Sequence, residues 1–310
     1  MQLSVVIPTW NRCRVLARTL EALLQQQEAP AFEVLVVDDG STDATADVVT
    51  QIQLQSPVPV HYLYQPNRKQ GAARNLGARR ARGQWLVFLG DDIVPSPRFL
   101  AEHLAAHLSL DPDPATSRTS VIGYTTWPPE FRRTRFLDYI GEYGWQFGFA
   151  LIQDPLDVPF NFFYTSNLSL PRRRFLESGG FDEGFQEYGW EDIELSLRLQ
   201  KAGMRLTYAE KASAYHHHPL DLRRFAVRQR QVGRSAWSFY RRHPEAGAFL
   251  GLENLTSYGP LAHLKMRVLG ILCQLTEYRR WPDLSRFYPD LMTYYYMLGV
   301  LEGKDAGRRT

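Results

Sequence analysis

Within its first 95 residues the chain passes through four short apolar stretches, each followed by a different pattern. Leu3 to Ile7, Phe32 to Val37, Val60 to Tyr64 and Trp85 to Leu89 read as strands. Arg14 to Gln26 repeats apolar residues at Val15, Leu16, Leu20, Leu23 and Leu24, the spacing of one helical face. Ser41 or Thr42 is placed to cap a second helix, with Asp43 favourable in its first turn. Gly71 to Arg82 reads as a third helix, built of small residues and arginines. Strands alternating with helices in this way require a parallel sheet with right-handed crossovers, so the expected class is α/β.

The fourth strand carries the most chemistry. Trp85 to Leu89 is apolar without a break, as in a strand buried on both faces. Gly90 ends it, Asp91 and Asp92 follow, and Pro95 and Pro97 are expected to prevent its continuation. Ligands of open α/β sheets bind beyond the carboxyl ends of strands. Two carboxylates there suit a hard divalent cation, which in turn suits a phosphate. The same pair would also serve in a turn that caps a helix.

The totals narrow the field. The 310 residues are 44% hydrophobic, enough for one sizeable core and an appendage. Thirty-six basic and 33 acidic side chains leave a formal charge of only +3, which does not suggest a nucleic-acid binder. Cys13 and Cys273 are far apart and in no metal-ligand spacing, which suits free thiols in a reducing, cytoplasmic compartment. The first residues enter a strand directly, so no signal peptide is expected, and no apolar run reaches the length of a membrane span.

Beyond Pro97 a helix is expected to about Leu110, a loop over Asp111 to Ser117, and a strand over Val121 to Thr125. Trp127 to Phe163 is irregular and aromatic. Asn167 to Leu170 reads as a strand, followed by a helix from Arg172 that Gly179-Gly180 ends. Trp190 to Ala202 reads as a helix, and Arg205 to Tyr208 and Ala212 to Tyr215 as two short strands. From Leu220 onward helices are expected, broken near Pro244, Gly259-Pro260 and Pro282.

Two further clusters carry reactive groups. Glu191-Asp192 opens a helix just after Tyr188-Gly189-Trp190. Acids are common in a first turn because the helix dipole favours them. A carboxylate beside aromatic side chains can also take a proton from a hydroxyl. His216-His217-His218 follows a short strand. In extended chain His216 and His218 point one way and His217 the other. Imidazole there can complete a coordination sphere begun by Asp92, or decorate the surface.

Taken in order, LSVVIPTWNR, VLVVDDGSTD, GAARNLGA, WLVFLGDDIVP, SNLSL, GGFDEGFQEYGWEDIELSLRL and the later histidines resemble glycosyltransferase family 2, over roughly Leu3 to Pro219. The segment from GGFDEGF to EDIEL is also similar to the carboxyl-terminal half of galactosyl- and N-acetylgalactosaminyl-transferases. The resemblance implies a GT-A fold over residues 1–219 and a helical extension over 220–310. It implies an inverting, non-processive transfer of a sugar from a nucleotide-diphosphate sugar to an acceptor hydroxyl. Pro8 and Thr9 would line the nucleotide, and Asp39 would accept a hydrogen bond from a uracil or thymine imide. Arg74 and Asn75 would lie near the nucleotide and diphosphate, and Asp91 near the ribose or donor sugar. Asp92 would hold Mn2+ or Mg2+ with His216, or with His218 instead. Asp192 would be the base, with Glu191 orienting the acceptor or donor sugar. Two departures stand out: Gly90 replaces the first acid of the family's DxD-type motif, and no QxxRW motif follows Gln231, which points away from a processive synthase.

Other enzyme classes fit less well. A nucleotidyltransferase would want a glycine-rich phosphate loop after the first strand, and Pro8 to Arg14 has no glycine. A nucleotide-sugar-binding protein that has lost catalysis is the remaining alternative. The carboxyl-terminal third sets Arg223, Arg224, Arg228, Arg230, Arg234, Arg241 and Arg242 among aromatics, then offers a tyrosine run, Tyr294 to Tyr296. Such helices suit a cap on the catalytic domain, a homodimer contact, or peripheral contact with a membrane that carries a lipid-linked acceptor.

Overall fold

The computed structural model describes residues 1–306 apart from 186, 254, 256–257 and 279–281; Gln186 of the aromatic–acidic motif therefore lies outside the described residues. The chain forms two compact units. The first contains residues 1–128, 152–184 and 191–218, the second 129–151, 185–190 and 219–310.

In the first unit, β1 (Leu3–Thr9), β2 (Phe32–Asp38), β3 (Val60–Tyr64) and β4 (Trp85–Leu89) pair in parallel, in the order β3-β2-β1-β4. β1, β2 and β4 are buried along their whole length, as central strands of a covered parallel sheet must be, while β3 at the edge is only partly so. Three helices make the crossovers: α1 (Cys13–Leu24), α2 (Thr45–Gln55) and α3 (Lys69–Arg80). Leu16, Leu20 and Leu23 of α1 join Val5, Val34, Val87 and Phe99 in one core. The small residues of α3 have a steric reason. A Cβ on Gly77 would stand 2.4 Å from Val6 Cγ1, so the helix lies against the sheet at a distance only glycine allows. The second helix starts later than its motif suggests, because Asp43 sits before it and accepts from the Thr45 N–H, and neither Ser41 nor Thr42 caps it.

The rest of the sheet is mixed. After β4 come β5 (Ile93–Pro95), α4 (Phe99–Leu110), β6 (Thr119–Thr126), β7 (Asn167–Pro171), α6 (Arg172–Glu177), α7 (Glu191–Lys201) and β8 (Arg205–His216), with α5 (Arg135–Asp138) of the second unit between β6 and β7. The eight-stranded order is β3-β2-β1-β4-β7-β6-β8-β5. β7 is antiparallel to both β4 and β6, β8 runs parallel to β6, and β5 is antiparallel to β8. Two features here were not expected. β4 ends at Leu89 and no strand runs past Pro95, but Ile93 to Pro95 forms a separate edge strand, where a proline is tolerated. The two short strands after Arg205 are one strand of 12 residues, with a register shift against β6 at Gly123/Thr125.

The second unit is mostly helical, with α8 (Leu222–Arg242), α9 (Pro260–Leu275) and α10 (Tyr288–Ala306) as its long members. α8 and α10 cross closely: a Cβ on Gly233 would lie 2.0 Å from the Tyr296 carbonyl, and one on Gly299 1.9 Å from that of Arg230. Asp221 caps α8 by accepting from the Arg224 N–H. Trp190 also belongs to this unit, donating its indole N–H to the Val232 carbonyl and packing against Phe239 and Phe249.

Candidate active site

The sheet's topology brings two groups of polar side chains to the carboxyl ends of β1, β2 and β4, and a third group lies between α3 and α7. The first forms around the turn from β4 into β5. Asp91 and Asp92 are both buried there. Thr9, at the end of β1, donates to Asp91 Oδ2 at 2.9 Å, and Thr19 of α1 donates to the Asp91 carbonyl. Arg12 spans the pair, with Nη1 at 3.1 Å from Asp91 Oδ1 and 2.5 Å from Asp92 Oδ2. His216 ends β8 and pairs across the edge with Ile93, which places its Nε2 3.5 Å from Asp92 Oδ2. His218 Nδ1 lies 4.0 Å from the same oxygen, on the same side as His216. Trp127 stacks on the His216 ring at 5.2 Å and fixes its plane.

The two carboxyls respond to these neighbours in opposite ways. Burial raises the pKa of Asp91, and the charge of Asp92 raises it further. Burial also works against the charge on Asp92, but His216, Arg12 and His218 together outweigh it and pull its pKa down. Asp92 is therefore the more readily ionised of the pair. One carboxylate and two imidazoles are a donor set that suits a first-row divalent cation. Among the described residues no three acidic, histidine or cysteine side chains form a ready-made cage. An incomplete set fits a cation that shares its sphere with a substrate phosphate. Gly90 belongs to this geometry: a Cβ there would lie 2.8 Å from Ile93 Cγ1 and 3.2 Å from Asp92 Oδ1.

The second group lies at the end of β2. Asp39 is buried, and its Oδ1 accepts from Gln65 Nε2 at 2.7 Å and from the Arg68 N–H at 2.8 Å. Its own N–H donates to the Thr9 carbonyl, which ties it to the end of β1. Pro8 is buried in β1 opposite Val37.

The third group joins α3 to the start of α7. Buried Arg74 lies 3.4 Å from Glu191 Oε1, which also accepts from Gln70 Nε2. Asn75 faces a different partner. It donates to the Phe181 carbonyl and to Glu183 Oε1, and accepts from the Phe181 N–H. Asn75 thus clamps the GGFDEGF loop onto α3. Asp192 keeps a partly accessible edge within surrounding protein. Burial first, and Glu191 second, raise its pKa to about 7, with Arg74 acting in the other direction. Tyr164 feels that carboxyl too, its phenol held protonated by burial and by Asp192.

Arg12, Trp127 and Tyr164 carry no expectation from the sequence. Arg12 stands inside the quoted LSVVIPTWNR stretch, just after Asn11, whose φ of 54° marks a tight turn. Nothing in the spacing ties residue 12 to residues 91 and 92, and the turn shows only in the structure.

Known proteins give a consistent comparison. The model of "Glycosyl transferase family 2" matches residues 4–179, and that of "N-terminal domain of galactosyltransferase" matches residues 153–219. Validoxylamine A glucosyltransferase of Streptomyces hygroscopicus subsp. limoneus is 35% identical over 233 residues, covering 68% of this chain and 50% of that protein. Chondroitin synthase of Escherichia coli is 28% identical over 247 residues, covering 70% of this chain and 35% of that one. The chain thus spans half, or less, of the length of these relatives. Among solved structures, the mannosyltransferase PcManGT of Pyrobaculum calidifontis, in complex with GDP-Man and Mn2+, superposes with a TM-score of 0.64 at 17% identity, covering 97% of this chain and 86% of that one. S. aureus TarS 1–349 in complex with UDP gives 0.55 at 16% identity, covering 99% and 92%. The mixed sheet has the GT-A fold of these neighbours, and the chain belongs to glycosyltransferase family 2.

Proposed function

We propose that this chain is an inverting, non-processive glycosyltransferase that moves a sugar from a uridine or thymidine diphosphate sugar to an acceptor hydroxyl. The convergence of Asp92, His216 and His218 at the end of β4 is the observation that carries this reading. A Mn2+ or Mg2+ ion held by Asp92 and His216, or by His218 in its place, would act as a Lewis acid for the leaving diphosphate. Asp91, less readily ionised than Asp92, is assigned to the ribose or donor sugar. Pro8 and Thr9 line the nucleotide, with Arg74 nearby. Asp39, oriented by Gln65 and Arg68, accepts from the imide N–H of the base. The fold leaves the base open, since one neighbour carries GDP-Man and another UDP.

In the reaction the acceptor oxygen forms its bond on the face of the anomeric carbon opposite the diphosphate. The bond from that carbon to the diphosphate oxygen breaks, and its electron pair leaves with the diphosphate. Asp192 takes the hydroxyl proton, and Glu191 orients the sugar. The acceptor is a glycan, a lipid-linked saccharide or a small molecule, and we assign the work to the cytoplasm or the inner face of its membrane. Catalysis is assigned to residues 1–219 and an accessory role to the helices of 220–310. The rival reading, a binding protein with decayed catalysis, rested on Gly90. The closeness of Ile93 and Asp92 explains that glycine by space instead.

Titration calorimetry tests the site. Uridine diphosphate should bind in the presence of Mn2+, more tightly than guanosine diphosphate. Asp92→Ala should remove the Mn2+ dependence while leaving the thermal transition in place. Equal affinity with and without chelator, or tighter binding of the guanosine form, would overturn the assignment. Slow Mn2+-dependent release of nucleoside diphosphate from the sugar donor separates an enzyme from a binding protein.

A further inference from the structure

The second unit carries an apolar surface on an unexpected helix. The arginine and tyrosine runs that suggest a membrane helix lie on α8 and α10, whose apolar faces are buried: Phe225 and Phe239 of α8, Leu291, Met292 and Tyr296 of α10. α9 is different. Cys273 is its only buried residue. Leu261, Leu264, Val268, Ile271, Leu272 and Leu275 are all exposed, from 46% for Leu272 to 83% for Leu261. At 3.6 residues per turn these six side chains fall within an arc of about 100°. Lys265 borders one edge of the arc and Arg267 the other, and both are exposed. The hydrophobic stripe of α9 therefore points away from its own unit, flanked by bases.

A basic groove adjoins it. Between α8 and α9 lies a cavity of ≈ 540 Å³, lined among others by Arg223, Arg230, Arg234 and Arg267, with no acidic residue in its wall. Glu302 pairs with Arg230 and Arg234. Arg223 and Arg267 have no acidic partner among the described residues, and nearby Asp221 is engaged by Arg224.

We propose that α9 is an in-plane anchor for an anionic lipid bilayer, with its leucine stripe among the acyl chains and Arg223, Lys265 and Arg267 at the headgroup phosphates. The helix is about 24 Å long and would lie on the bilayer. Among the described residues no helix is long and apolar enough to cross one. Charge decides between a bilayer and a second copy of the chain. α9 contains no acid, so a symmetric α9–α9 contact would set Lys265 and Arg267 of each copy against the same bases of the other. An anionic surface neutralises them. The inference rests on the proposed function only for the inner membrane face as the place of work, and it concerns a surface distinct from the donor site.

Co-sedimentation of the full chain with vesicles tests it. Vesicles of phosphatidylcholine with phosphatidylglycerol should bind the protein, and pure phosphatidylcholine vesicles much less, with binding that weakens as salt rises. Leu264→Gln with Leu272→Gln should lower partitioning at least about tenfold. Lys265→Gln with Arg267→Gln should lower it by a similar factor on anionic vesicles only. All four positions are exposed, so the thermal transition and uridine diphosphate binding should stay unchanged. Failure of nucleotide binding in the unmodified chain counts against the donor site alone. Vesicle binding that the leucine pair does not alter would overturn the anchor. So would a dimer in sedimentation equilibrium that the leucine pair dissolves, which would assign the face to a second copy.

Discussion

Asp192 shows how one side chain's surroundings can reverse a rule of thumb. A helix amino terminus favours an ionised carboxylate, and the sequence alone predicts a base charged well below neutrality. Burial and the adjacent Glu191 act the other way, and the carboxyl titrates at about 7. A base must be deprotonated to accept the acceptor's proton, so on the proposed mechanism kcat/KM should rise with pH up to about 7 and then level off. Asp192→Asn should remove that rising limb and slow transfer by about 10²-fold or more, with uridine diphosphate affinity nearly unchanged. A native rate in Asp192→Asn would return the residue to a plain helix-terminal acid. Asp91 and Asp92 were easy to single out because they follow an unbroken apolar strand, and His216 because it closes a strand at a run of three histidines. Arg12 was not legible, because its partners are 79 and 80 positions away and an arginine in a turn has no pattern of its own.

At the scale of elements, the β1-to-β4 half of the sheet was readable because its strands are short and mostly apolar and the segments between them are helical in character, with a 3.6-residue apolar period in α1. β5 was not, because three residues with a proline carry no period and exist as a strand only through pairing with β8. The aromatic stretch after Trp127 resisted reading for a similar reason: it forms short helical turns of three to five residues held by packing. α3 carries the prediction that belongs here. Asn75 satisfies both the N–H and the carbonyl of Phe181. Asn75→Ala would leave those two groups unpaired at a buried site, at a cost of about 2–6 kcal/mol, since each unmet group costs ~1–3 kcal/mol. A chemical-denaturation series should show this loss without any nucleotide present. If stability is unchanged and only nucleotide affinity falls, Asn75 is a ligand contact and the clamp is incidental.

Across the first unit as a whole, a buried polar seam crosses the sheet and makes its stability depend on pH. His103 and His107 project from α4, and Ser169 and Asn167 from β7. His103 Nε2 lies 2.8 Å from Asn167 Oδ1, His103 Nδ1 2.9 Å from Ser169 Oγ, and His107 Nε2 2.8 Å from the same hydroxyl. Asn167 Nδ2 in turn donates to the carbonyls of Tyr124 on β6 and Ala212 on β8. With both imidazoles neutral, one proton arrangement makes all three of these histidine contacts. His103 donates from Nε2 and accepts the Ser169 hydroxyl at Nδ1, while His107 donates to Ser169. A second proton on His103, at Nδ1, would force the Ser169 hydroxyl to turn and give up its own donor bond, and burial penalises the charge as well. Burial lowers its pKa from 6.5 to about 4, and His107 shifts the same way through burial and the charge of His103. The unfolded chain therefore binds protons between about pH 6.5 and 4 that the folded chain refuses. The contribution of His103 is complete above its unfolded pKa and fades as pH falls toward the folded one, by about 2–3 kcal/mol at pH 4.5. Total stability hides this, because Asp91, Asp192 and Glu277 have raised pKa values and favour the folded state as pH falls. A difference between two proteins removes those shared groups. His103→Gln keeps a donor and an acceptor but cannot titrate. It should be less stable than the parent at pH 7.5, and the gap should narrow by about 2–3 kcal/mol at pH 4.5, read from urea unfolding at both values. A gap independent of pH would mean that His103 binds its proton equally well in the folded and unfolded chains, and the single-arrangement account of the seam would fail.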